Sequence, residues 1–64
     1  MCELKAVLER GEGNRDIIME STTRVIVEGD EIELTGIFGE RENVQGSIKE
    51  INFSKGELII LGND

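Results

Sequence analysis

Sixty-four residues carrying 14 acidic and 7 basic side chains, a formal charge of −7, one cysteine and no histidine make a short acidic chain with little catalytic equipment. The lone thiol excludes an intramolecular disulfide, and the missing imidazole removes the usual general base and the usual activator of a cysteine nucleophile. At this length apolar burial roughly cancels an ordering cost on the order of 1.5 kcal/mol per residue, so a metal, a second subunit or a very regular sheet is expected to supplement the core.

The chain alternates with period two almost throughout and reads as one small all-β domain over residues 1–64. Cys2, Leu4, Ala6 and Leu8 share one parity while Glu3, Lys5 and Glu9 take the other, the pattern of a half-buried strand. Gly11, Gly13 and Asn14 tolerate positive φ and predict a hairpin loop. Ile17, Ile18 and Met19 form a second, short apolar run. Arg24 to Val27 and Glu31 to Phe38 then flank the turn Glu28-Gly29-Asp30, placing Ile32, Leu34 and Phe38 toward the core, with Gly36 free to bend or to allow a close backbone approach.

Beyond Gly39 to Asn43, a further strand runs from Val44 to Phe53. Its inward parity changes between Val44, Gly46, Ile48 and Ile51, Phe53, which predicts a bulge near Lys49-Glu50. The turn Ser54-Lys55-Gly56 leads into Glu57 to Leu61, a strand apolar on both parities whose surplus face needs cover. A homodimer is the simplest source of it. Five to six short antiparallel strands joined by tight turns predict a small SH3-like or Sm-like barrel. No basic segment leads into an apolar run at Met1, and the longest apolar stretch, Leu58 to Leu61, is far too short to span a membrane. With its unpaired thiol the chain is expected in the cytoplasm, away from any membrane.

Most enzyme constellations are absent, and no enzymatic activity is expected. The glycines of Gly11-Glu12-Gly13 and Gly36-Ile37-Phe38-Gly39 precede no helix and so read as turns rather than phosphate cradles. Glu31/Glu33 and Glu40/Glu42 are spaced as solvated strand faces. The seven cations, Lys5, Arg10, Arg15, Arg24, Arg41, Lys49 and Lys55, are scattered, and only Phe38 and Phe53 offer stacking surfaces. Nucleic acid is therefore a disfavoured partner, and an Sm-like or SH3-like RNA-binding module is the alternative reading.

Cys2 admits two readings. Its parity matches Leu4, Ala6 and Leu8, so it fits the core as a small apolar side chain. Its place next to the amino terminus also makes it a chelator. With Met1 removed, amine and thiolate close one chelate ring, and two subunits supply N2S2; with Met1 retained, the amine, the Cys2 amide nitrogen and the thiolate form fused rings. Either set is flat and electron-rich, suited to square-planar Ni(II) or Cu(II) more than to tetrahedral zinc, and thiolate reduction of Cu(II) leaves nickel preferred.

A chain that opens Met1-Cys2, runs into a strand with Lys5, Ala6, Val7 and Leu8, continues as an all-β meander and carries Ile37-Phe38-Gly39-Glu40 resembles the CooT family of small nickel-binding proteins, relatives of which are often labelled predicted RNA-binding. The resemblance spans nearly the whole chain, and its functional content is Met1-Cys2. It implies a metallochaperone or nickel reservoir that serves maturation of a nickel enzyme such as carbon monoxide dehydrogenase. Cys2 is implied as the Ni(II) ligand, in some members at a homodimer interface.

Overall fold

The alternating pattern folds as five strands: β1 (Leu4–Arg10), β2 (Asn14–Glu28), β3 (Glu31–Gly36), β4 (Arg41–Asn52) and β5 (Glu57–Gly62). The computed structural model describes residues 3 to 11 and 13 to 62. The strands close into a barrel in sequence order, each antiparallel to its predecessor, and β1 seals the wall by running parallel to β5 from Lys5↔Glu57 to Glu9↔Leu61. The expected all-β barrel is thus present. No helix among the described residues is long and apolar enough to cross a membrane.

Two strands are not short. The apolar run Ile17 to Met19 and the segment Arg24 to Val27 belong to one strand of 15 residues, and β4 has 12. Each changes partner midway. β2 pairs with β1 as far as Thr22, which also faces Gly36, and continues with β3 through Glu28↔Glu31; register shifts on either side of this corner let it turn. Likewise β4 pairs with β3 up to Gln45 and with β5 from Gly46 onward. A Cβ at Gly46 would collide with the Leu61 carbonyl oxygen, so only glycine lets the two backbones meet there. The Gly46 N–H donates to the Asp30 carbonyl at 2.8 Å, tying this corner to the β2–β3 turn. In that turn Gly29 has φ +59°, the positive value a two-residue hairpin needs at its first central position.

The core gathers Ala6, Leu8, Met19, Ile32, Leu34, Leu58 and Ile60, with Leu4, Ile18, Val25, Val44 and Ile48 packed around it. Ile32, Leu34, Leu58 and Ile60 are fully buried, each contributing about 1.5–3 kcal/mol over an exposed position. The inward parity expected for β1 is therefore correct at Leu4, Ala6 and Leu8. Ile59, on the other parity of β5, is nevertheless only 4% exposed, beside the buried Val7 across the parallel seam and Glu50 across the antiparallel one. Most of that surplus apolar face is covered within the chain, and Leu61 is what remains exposed.

Two aromatic expectations are overturned. Strand β3 ends at Gly36, so Phe38 leaves the alternation and stands 90% exposed in the next turn, and Phe53 falls in the β4–β5 turn, 73% exposed. Ile51, placed inward by the parity argument, is also exposed. The bulge expected near Lys49-Glu50 is present: Ile48 faces Ile60 and Glu50 faces Ile59, leaving Lys49 as the extra residue.

Candidate metal centre

Cys2, the predicted nickel ligand, and Met1 lie outside the described residues; the neighbourhood where the chain joins the barrel is built as follows. Leu4 pairs with Thr22 at the β2 corner, and the Lys5 N–H donates to the Gly56 carbonyl at 2.8 Å. The first strand is thus held between a bent strand on one side and the β4–β5 turn on the other. That turn is braced internally, the Lys55 N–H donating to Asn52 Oδ1 at 3.1 Å. Thr22 is 2% exposed, and its hydroxyl has no hydrogen-bond partner among the described residues.

Among the described residues no group of three or more Cys, Asp or Glu side chains is placed to hold a metal ion. The carboxylate pairs singled out in the sequence behave accordingly. Glu31 and Glu33 line a shallow concavity of about 230 Å³ with Glu28, Ile26 and Asn43. Glu40 and Glu42 line another, of about 290 Å³, with Ile17, Ile18, Met19 and Glu20. The Glu40 carboxylate accepts the Phe38 N–H at 3.0 Å and folds over Gly36, where a side chain would collide with it. The Ile37-Phe38-Gly39-Glu40 segment is therefore a self-capped turn that holds an exposed phenyl ring.

Electrostatic organisation appears instead at Glu9. Its carboxylate is 2.9 Å from Lys49 Nζ through Oε2 and 3.2 Å from Arg15 Nη2 through Oε1, while the residue is only 8% exposed. Arg15 is its direct cross-strand neighbour, and Lys49 is the bulged residue of β4, turned out of the ladder and able to reach across. The Lys49 hydrogen bond, aided by the charges of Lys49 and Arg15, holds the Glu9 carboxyl below its usual value against the opposing effect of burial. A carboxylate kept ionised in this way is a brace between β1, β2 and β4, not a proton shuttle poised near neutrality.

Alternation alone could not reveal this brace, because Glu9 sits on the outward parity where exposure is the default. The only signal was the hairpin spacing of Glu9 and Arg15. The brace engages two of the seven cations, and Phe38 and Phe53 stand on different turns.

Residues 1–61 match the family model described as CO dehydrogenase accessory protein CooT. None of the curated proteins matches the chain. A crystal structure from Carboxydothermus hydrogenoformans, provisionally named CooT, superposes with a TM-score of 0.87 at 22% identity, covering 98% of this chain and 100% of that one. At that identity the superposition speaks for the fold.

Proposed function

This chain belongs to the CooT family of CO dehydrogenase accessory proteins, and on that premise we propose that it binds Ni(II) through Cys2 and carries or stores the metal for maturation of a nickel enzyme. The observation that carries this reading is the donor inventory. The chain has one cysteine and no histidine, and the described residues hold no cluster of carboxylates fit for a metal. A soft, flat donor set is available only at the terminus, from the thiolate with the amine or the adjacent amide nitrogen. Nickel is cargo here, and no catalytic step is assigned to the protein.

A homodimer suits the same chemistry, because two termini brought together supply N2S2. The turn that accepts the Lys5 N–H also carries the exposed Phe53, and Ile51 precedes it. These side chains offer apolar surface for a two-fold contact close to where β1 begins.

Titration with Ni(II) is expected to develop a yellow-to-brown thiolate-to-nickel absorption that is lost in Cys2→Ser while the circular dichroism of the barrel persists. Equal nickel affinity in the serine variant would refute the assignment. Native intact-mass measurement reports subunit count and stoichiometry together: one nickel shared by two chains supports the N2S2 site, and one nickel per chain supports a self-contained terminus.

A further inference from the structure

We propose that the first half of β2, from Arg15 to Glu20, is a docking edge that accepts an extended, basic segment of a partner polypeptide by strand addition. Independent of metal binding, the inference starts from register. Residues Asn14 to Met19 pair with β1 on one side, whereas pairing with β3 begins only at Thr22, after the Ser21 carbonyl has accepted the Ile37 N–H at 3.0 Å. The opposite edge of this stretch therefore has no strand beside it among the described residues. Backbone groups on such an edge are a template for another strand.

A groove runs along that edge. The concavity of about 290 Å³ is lined by the four consecutive residues Ile17, Ile18, Met19 and Glu20, with Glu40 and Glu42 opposite. Ile18 is the extra residue between Ile17, which faces Val7, and Met19, which faces Ala6; this bulge breaks the alternation, so neighbouring side chains of β2 come to border one groove beside the edge that β3 leaves unpaired. The other concavity differs in this respect: Ile26, Glu33 and Asn43 lie in one register row across three strands and mark a sheet face.

Charge selects the occupant. The groove is bordered by three carboxylate side chains and no cation. Glu42 shares a register row with the buried Leu34, which places it on the inward parity, at the mouth where β2 and β3 part. An isologous pairing with a second copy would set Glu20, Glu40 and Glu42 of one chain against the same residues of the other, in a protein whose formal charge is already −7. The carboxylates thus guard the edge against self-pairing and admit a strand whose alternate residues are lysine or arginine. Ile17, 53% exposed, offers apolar contact to the intervening residues.

The test uses the full chain, isotope-labelled, with a capped peptide of about seven residues alternating lysine and valine as probe, long enough to span the edge. Binding is expected to slow amide exchange and shift resonances within Arg15 to Glu20. Glutamate in place of the peptide's lysines, or N-methylation of alternate peptide nitrogens, is expected to abolish both effects. The exposed-site variant E20K combined with E42K is expected to weaken binding by about tenfold or more, with circular dichroism checking that the barrel is retained. Protection elsewhere on the barrel, equal binding of the glutamate peptide, or contacts between β2 strands of two copies in the peptide-free protein would overturn the proposal. Nickel titration of the same samples is unaffected by either outcome and keeps this edge separate from Cys2.

Discussion

Both long strands of the barrel change partner midway, yet the two corners are built differently. At Gly46, β4 crosses from β3 to β5 with its backbone pressed against the Leu61 carbonyl and its N–H bonded to Asp30. Close by along β4, the bulged Lys49 reaches the buried Glu9, where Arg15 completes the brace. At Thr22, β2 leaves β1 for β3 with a hydroxyl that finds no partner among the described residues, and a groove bordered by carboxylates without cations follows. One corner is sealed by a missing side chain and a neutralised charge. The other is held open with its charges exposed, so the first can tolerate little change and the second can receive a ligand.

The sharpest way to break this contrast is Gly46→Ala. The added methyl meets backbone, which cannot rotate away, so strands β4 and β5 must separate. A loss of about 3 kcal/mol is expected in urea unfolding, and stability within a few tenths of the parent would show that the corner is looser than described.

Glu9→Gln addresses the brace. Because folding lowers the Glu9 pKa, its ion pairs contribute fully at neutral pH, above the unfolded-state value, and that contribution is lost as pH falls through the folded-state value. The glutamine variant is therefore expected to be less stable than the parent at pH 7, with the gap closing in strong acid. Urea midpoints measured across that range decide it; a gap that stays constant would mean that charge plays no part. The smallest effect is expected at the open corner, where Phe38→Ser should change stability by no more than about 0.5 kcal/mol, since the ring is 90% exposed. A larger loss by thermal or urea melting would mean the turn is less self-sufficient than its Glu40 cap implies.

Much of the fold was legible because alternation is a local property. Leu4, Ala6 and Leu8, Ile32 and Leu34, and the Lys49 bulge all follow from parity along a single strand. Parity failed where strands ended or changed partner. Phe38 was carried inward by extrapolating β3 past Gly36, where a positive-φ Gly39 and the Glu40 cap turn the chain away. Ile17 to Met19 and Arg24 to Val27 read as separate segments, yet β2 passes straight through Ser21-Thr22-Thr23 between them and buries Thr22. Ile59 looked like surface needing a partner, and the parallel seam with β1 largely covers it.

At the candidate metal centre the balance is reversed. The sequence by itself supplied the side chains on which the proposed nickel site rests, one thiol, no imidazole and an acidic balance, and none of these depends on folding. It also determined the all-β class, through a period that only strands satisfy. Tertiary structure alone decided that β1 closes against β5, that Glu9 is buried between two cations, and that the first half of β2 has no second strand beside it among the described residues. Those outcomes depend on which distant strands become neighbours, and no window of a single strand carries that information.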